Sequence, residues 1–152
     1  MKNLISLLLF LLLLQCGYQP IYNKENLSDV NITVGETKGD SSLNNLINSR
    51  LKRYSSSETD KIYTIDVNTS FSKSILSKDA AGKATKLKLS AEMNFKVIFD
   101  EKSQNYLFEE SINIDNLSDK YEQNNYENII KNNFVDTVIN KLLIELSMIK
   151  WL

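Results

Sequence analysis

The sequence predicts an α+β two-layer sandwich. Two helices pack on one face of a mainly antiparallel four-stranded sheet, in the order β-α-β-β-β-α. Three observations carry that expectation. Long stretches in the middle of the chain alternate apolar and polar residues, which puts one strand face on a core and the other in water and suits antiparallel pairing. Two other stretches space their apolar residues as a helix does. The links between the long alternating stretches are too short for a crossover helix. With 152 residues, the chain is one domain, large enough to bury a core.

The first strand is short. Val30, Ile32 and Val34 alternate with Asn31, Thr33 and Gly35. Residues 35–40 read as a turn, with Ser41 or Ser42 as the cap of the next helix. In that helix Leu43, Leu46, Ile47, Arg50, Leu51 and Tyr54 share a face, with Asn44, Asn45, Ser49, Lys52 and Arg53 outside, and Ser55-Ser56-Ser57 ends it.

Three strands follow. Tyr63, Ile65, Val67, Thr69, Phe71 and Ile75 hold one face of the first. The second carries Leu87, Leu89, Ala91, Met93, Phe95, Val97 and Phe99 on one face, and Lys86, Lys88, Ser90, Glu92, Asn94 and Lys96 on the other. In the third, Tyr106, Phe108, Ile112 and Ile114 share a face, with Glu110 as the exception. Residues 77–83 form one hairpin link and residues 100–105 the other. The closing helix opens at Asn124, which has capping-box spacing to Glu127. Its stripe is Tyr126, Ile129, Ile130, Phe134, Val138, Leu142, Leu146 and Ile149. About 26 residues of helix reach roughly 39 Å. Asn128, Asn132, Asn133 and Asn140 are weak helix formers, so packing must hold this helix. Trp151 and Leu152 read as a helix end packing down, with a docking handle as the alternative.

The N-terminus reads differently. Met1-Lys2-Asn3 precedes Leu4–Leu14, apolar except for Ser6. Eleven residues make about 16 Å of helix, against the roughly 30 Å of a bilayer core. Residues 1–15 are therefore expected to be a secretory signal. Leu13 stands three places before Cys16, the spacing of a bacterial lipoprotein signal, although Gln15 departs from the small residue usual before the cysteine. Cys16 is the chain's sole cysteine. It is either lipid-modified after cleavage or an odd cysteine in an uncleaved short anchor, and lipidation is the expectation. Residues 16–28 then form the lipidated N-terminus and tether, and 29–152 the domain. Gly17 stands where Asp would favour the inner membrane, which favours the outer one.

Charge and composition exclude several functions. Eighteen basic against 19 acidic side chains give no excess of positive charge for nucleic acid. A chain with no histidine holds no Ser/His/Asp triad and no Cys/His pair, and no metal site or cofactor is expected. Glu109 and Glu110 are strand neighbours on opposite faces, a poor geometry for a carboxylate pair. Glu110 is expected near an edge where water reaches it. Lys73, Lys78, Lys83, Lys86 and Lys88 cluster around the first hairpin against Asp79. They are either a phosphate-binding set or a solvated hairpin whose lysines discourage edge pairing.

Three stretches carry a family resemblance: Cys16-Gly17-Tyr18-Gln19-Pro20-Ile21-Tyr22, then Ala84-Thr85-Lys86-Leu87-Lys88-Leu89 with its long strand, and the closing helix behind Asn116-Leu117-Ser118. With the β-α-β-β-β-α order, the chain resembles the LPS-assembly lipoprotein family LptE in its alphaproteobacterial form. The resemblance implies a non-enzymatic lipoprotein of the outer membrane, facing the periplasm. It would plug and help assemble the LptD β-barrel and assist lipopolysaccharide transport. It also implies lipid A phosphate as the anion that Lys78, Lys83, Lys86 and Lys88 would meet, and a barrel lumen as the surroundings of Ser70, Ser72, Ser74, Ser90, Glu92, Asn94 and Lys96. Two alternatives stay open: another outer-membrane lipoprotein binding an apolar ligand between helices and sheet, and a carboxylate-based periplasmic hydrolase.

Overall fold

The computed structural model describes residues 31–55 and 62–148. Cys16, the signal, the tether, Val30, Ile149, Trp151 and Leu152 lie outside the described residues. The elements are β1 (Asn31–Gly39), α1 (Ser41–Leu51) running into a 3-10 turn (Lys52–Tyr54), β2 (Ile62–Lys78), β3 (Ala84–Phe99), β4 (Lys102–Asp115) and α2 (Lys120–Met148). The order is the expected β-α-β-β-β-α, and the sheet runs β1-β2-β3-β4. The β2–β3 and β3–β4 pairs are antiparallel, whereas β1 and β2 are parallel, with α1 as their crossover.

The first strand does not end where a turn was expected. It continues to Gly39 through a bulge: Val34 faces Ile65 and Thr37 faces Val67, so Gly35 and Glu36 together face Asp66. The Asp66 carboxylate accepts the Glu36 amide at 2.9 Å. Polar and glycine residues disguised this second half of the strand as a loop. Gly39 has φ of 93°, and a Cβ there would lie 1.7 Å from the Thr69 carbonyl oxygen, so glycine alone lets the chain leave the sheet here. Asp40, not Ser41 or Ser42, caps α1, accepting the Leu43 amide at 2.8 Å.

The core lies between the sheet and the two helices. Leu43, Ile47 and Leu51 of α1 and Val135, Val138 and Leu142 of α2 close over Ile65, Val67, Leu89, Met93, Phe95 and Val97, all of them buried. Each such side chain contributes about 1.5–3 kcal/mol on leaving water. The alternation in β3 holds over the strand's length. Elsewhere the expected faces need correction. Ile75, near the hairpin end of β2, and Ile112, two residues before the buried Ile114, are exposed although both stand on the core face.

The 29-residue α2 spans about 43 Å. It begins four residues before Asn124, with Asp119 as its cap: the Asp119 carboxylate accepts the Tyr121 and Glu122 amides at 2.7 and 3.1 Å. Its buried side keeps Ile130, Phe134, Val138, Leu142 and Leu146 of the expected stripe but is otherwise different. Tyr126 and Ile129 face solvent, whereas Val135, Ile139 and Leu143 join the core. The second hairpin link is tighter than residues 100–105, since Phe99 already pairs with Lys102. Asp100 and Glu101 both have positive φ, at 46° and 65°, which matches the right-handed twist of the flanking strands.

Candidate functional site

The β2–β3 hairpin carries the lysines singled out from the sequence. Its link is organised by Asp79, whose carboxylate accepts the Ala81 and Lys83 amides, each at 2.9 Å. Gly82 supplies the positive φ, 80°, that closes the loop. Lys78 and Lys83 flank this link, and Lys86 and Lys88 stand on the sheet face turned away from the helices. All four are exposed. Lys86 lies opposite Asp115 in the β3–β4 register. Lys73 does not join them. It reaches to the helix side, where its ammonium meets the Glu127 carboxylate at 2.8 Å.

Glu127 is the most heavily partnered acid of this region. Burial raises its pKa, but hydrogen bonds from Lys73 and Gln123 and the charges of Lys73 and Lys131 outweigh that and hold it below the usual carboxylate range. Gln123 is buried. It donates to Glu127 at 2.7 Å and accepts the Leu117 amide at 2.8 Å, fixing the link into α2. Lys131 sits 4.2 Å from the centre of the Phe71 ring.

The open face of the sheet is mainly polar, with Leu107 and Ile62 as exposed apolar exceptions. At its middle, a shallow concavity of about 350 Å³ is lined by Ser70, Ser72, Lys88, Ser90, Glu92, Glu109 and Ser111, among others. Glu92 and Glu109 face each other across the β3–β4 pair. Glu110 turns the other way, on the edge strand β4, and meets the Lys141 ammonium at 2.5 Å. The two neighbouring glutamates are thus on opposite faces, and Glu110 is tied to a helix.

At the other end of the sheet, polar side chains hold the crossover. Asn44 is buried, although helical spacing put it outside. It donates to the Lys38 carbonyl at 3.0 Å and accepts the Thr69 hydroxyl at 2.9 Å. A depression of about 490 Å³ between the helices is lined by Arg50, Arg53, Tyr54, Asp136, Ile139 and Asn140. Arg50 donates to Asp136 at 2.7 Å and to Asn132 at 3.1 Å. The Asp136 hydrogen bond holds its pKa above the ordinary arginine value despite the opposing effect of burial. The sequence signal for this pair was Arg50 standing among apolar residues of one helical face. Its partners lie too far along the chain to be read from spacing. Among the described residues, no group of three Cys, His, Asp or Glu is placed to hold a metal ion, and no helix is long and apolar enough to cross a membrane.

This architecture has solved counterparts. Rare lipoprotein B from Shewanella oneidensis superposes with a TM-score of 0.55 at 13% identity, over 74% of this chain and 96% of that one. The fold is shared. A chain classed as a lipoprotein from Caulobacter crescentus CB15 gives 0.53 at 13% identity, over 82% and 91% of the two chains. The minor lipoprotein of Acinetobacter baumannii gives 0.51 at 11%, over 76% and 92%. No protein-family model matches the sequence, and no curated protein does. What these neighbours share with the chain is the fold.

Proposed function

We propose that the chain is an outer-membrane lipoprotein, anchored through Cys16, that plugs and helps assemble an LptD-type β-barrel and assists lipopolysaccharide toward the outer leaflet. The observation that carries this reading is the contrast between the two sheet faces. One is covered by α1 and α2 over most of its length, and the other is mainly polar from Asp66 to Lys86, with Leu107 as its apolar exception. A body inside a barrel must be polar where it meets the lumen, because such lumens are polar. Support comes from the shared fold with lipoproteins and from the lipoprotein-type N-terminal sequence. On this reading the chain is not an enzyme, and Glu109 and Glu110 do not act as a pair.

The core speaks against the apolar-carrier alternative. Phe95, Met93, Val138 and Leu142 are fully buried and fill the layer between helices and sheet where an apolar ligand would sit. Lys78, Lys83, Lys86 and Lys88 are the residues proposed to meet lipid A phosphates. The experiment is purification of the chain from outer membranes without boiling. A large β-barrel whose mobility shifts on heating is expected to accompany it, with mass spectrometry showing acyl chains on Cys16. A bound lipid without a barrel would favour the carrier, and an unmodified thiol would remove the anchor.

A further inference from the structure

The parallel partner of β2 covers only part of it. The β1 register on β2 runs from Ile62 to Thr69 and stops there, because Gly39 and Asp40 turn the chain into α1. From Ser70 to Lys78, β2 is hydrogen-bonded to β3 on one side, and among the described residues no strand lies on the other. This is about 30 Å of strand edge at 3.3 Å per residue.

The backbone direction along this edge follows from one hydrogen bond. The Thr69 carbonyl faces away from β3, since it accepts the Asp40 amide at 3.1 Å. In antiparallel pairing, alternate residues turn both backbone groups away from the partner. Phe71, Lys73 and Ile75 therefore present amide and carbonyl groups outward, in line with those that β1 satisfies farther down. The usual defences of an edge are thin here. The stretch contains no proline, its Lys73 is drawn onto the helix side by Glu127, and Ile75 and Leu76 are 54% and 48% exposed.

We propose that this free edge of β2 receives an extended acidic segment of a partner protein by strand addition, prolonging the row that β1 begins. Main-chain hydrogen bonds would give affinity, and alternate side chains the specificity. Apolar residues of the incoming strand would lie beside Phe71 and Ile75 on the helix side. Its acidic residues would lie on the open face, toward Lys88 and Lys86 on the neighbouring strand and Lys78 and Lys83 at the tip. Among the described residues Lys78, Lys83 and Lys88 make no ion pair. The same charges disfavour a second copy of this chain as the occupant. The segment Ser70–Lys78 holds two lysines and no acid, so self-pairing would bring like charges together.

The test uses the full chain in detergent with two capped octapeptides, alternating valine–glutamate and alternating valine–lysine. The acidic peptide is expected to bind at least about tenfold more tightly than the basic one. Residue-resolved hydrogen exchange should then show new protection at the Phe71, Lys73 and Ile75 amides and none at Ser72 and Ser74, which already face β3. Ile75→Pro removes one outward amide and should abolish that protection. Leu76→Asp, which keeps the backbone intact, should weaken binding of the acidic peptide if the proline variant fails to fold. Equal binding of both peptides, or protection without the alternation, overturns the proposal. So does protection of the same amides by phosphatidylglycerol vesicles without peptide, which would make the edge a lipid surface. Concentration-dependent protection of the same amides without peptide would assign the edge to a second copy and overturn it too. None of these readouts depends on a barrel or on lipopolysaccharide, so failure here is separable from failure of the proposed function.

Discussion

Strand β2 has two halves that look alike in sequence and differ in the fold. In the first, Tyr63, Ile65, Val67 and Thr69 alternate with polar residues and all four are buried. In the second, the alternation continues through Phe71, Lys73 and Ile75, yet Phe71 is only half-buried and Ile75 is exposed. The first half has β1 on its edge and α1 above it. The second has β3 alone on its flank and the start of α2 above it. Alternation therefore specifies that a segment is a strand and which residues share a face. It does not specify that the face will be covered.

The largest expected effect follows directly. Ile65→Ala should cost about 2–5 kcal/mol, as for other aliphatic truncations in a filled core. Ile75→Ala, on the same strand and face, should stay within about 0.5 kcal/mol. Urea denaturation of both variants checks this, and comparable losses would mean that the hairpin half is covered after all. A smaller effect sharpens why the first half is fixed. Thr69→Val leaves the buried Asn44 amide oxygen without its donor, and should cost about 1–3 kcal/mol. Ser72→Val, on the open face of the other half, should be near neutral by the same measurement.

The least effect concerns the tie between the hairpin half and α2. The Glu127 carboxyl has a lowered pKa in the folded state. A lowered carboxylate pKa contributes stability that is fully present above the unfolded-state value and is lost as pH falls through the folded one. Stability should therefore decline on acidification below the usual glutamate range. Glu127→Gln should flatten that part of the pH profile, as read from melting temperature, because Lys73 then has no charge to meet.

How much of this was legible differs by element. The β3 pattern was fully readable, because a central strand under two helices buries one entire face and its sequence records that. The second half of β1 was not, because Gly35, Glu36, Thr37, Lys38 and Gly39 carry the composition of a turn. Only pairing with β2 and the Asp66 contact make them a strand. The α2 stripe keeps Ile130, Phe134, Val138, Leu142 and Leu146 and gains the adjacent row Val135, Ile139 and Leu143, whereas Tyr126 and Ile129 stay exposed. That is a property of the packing, and a helix period alone does not reveal it. The lysines of the hairpin were all named from sequence, and alternation puts Lys73 on the face of Phe71 and Ile75, but only the fold shows the Glu127 carboxylate that it meets there.

By itself, the sequence determined the order of elements, the one-sided burial of the sheet and the gathering of lysines at one hairpin. These follow from local periodicity and chain connectivity, which any segment carries within itself. Tertiary structure alone decided that β1 runs parallel to β2, that it stops at Thr69, and that the rest of β2 keeps an open edge. Those outcomes turn on where Gly39 and Asp40 let the chain leave the sheet, and on a buried Asn44–Thr69 contact between residues far apart in sequence. Hydrogen bonds between distant residues leave no periodic trace, so only the folded chain displays them.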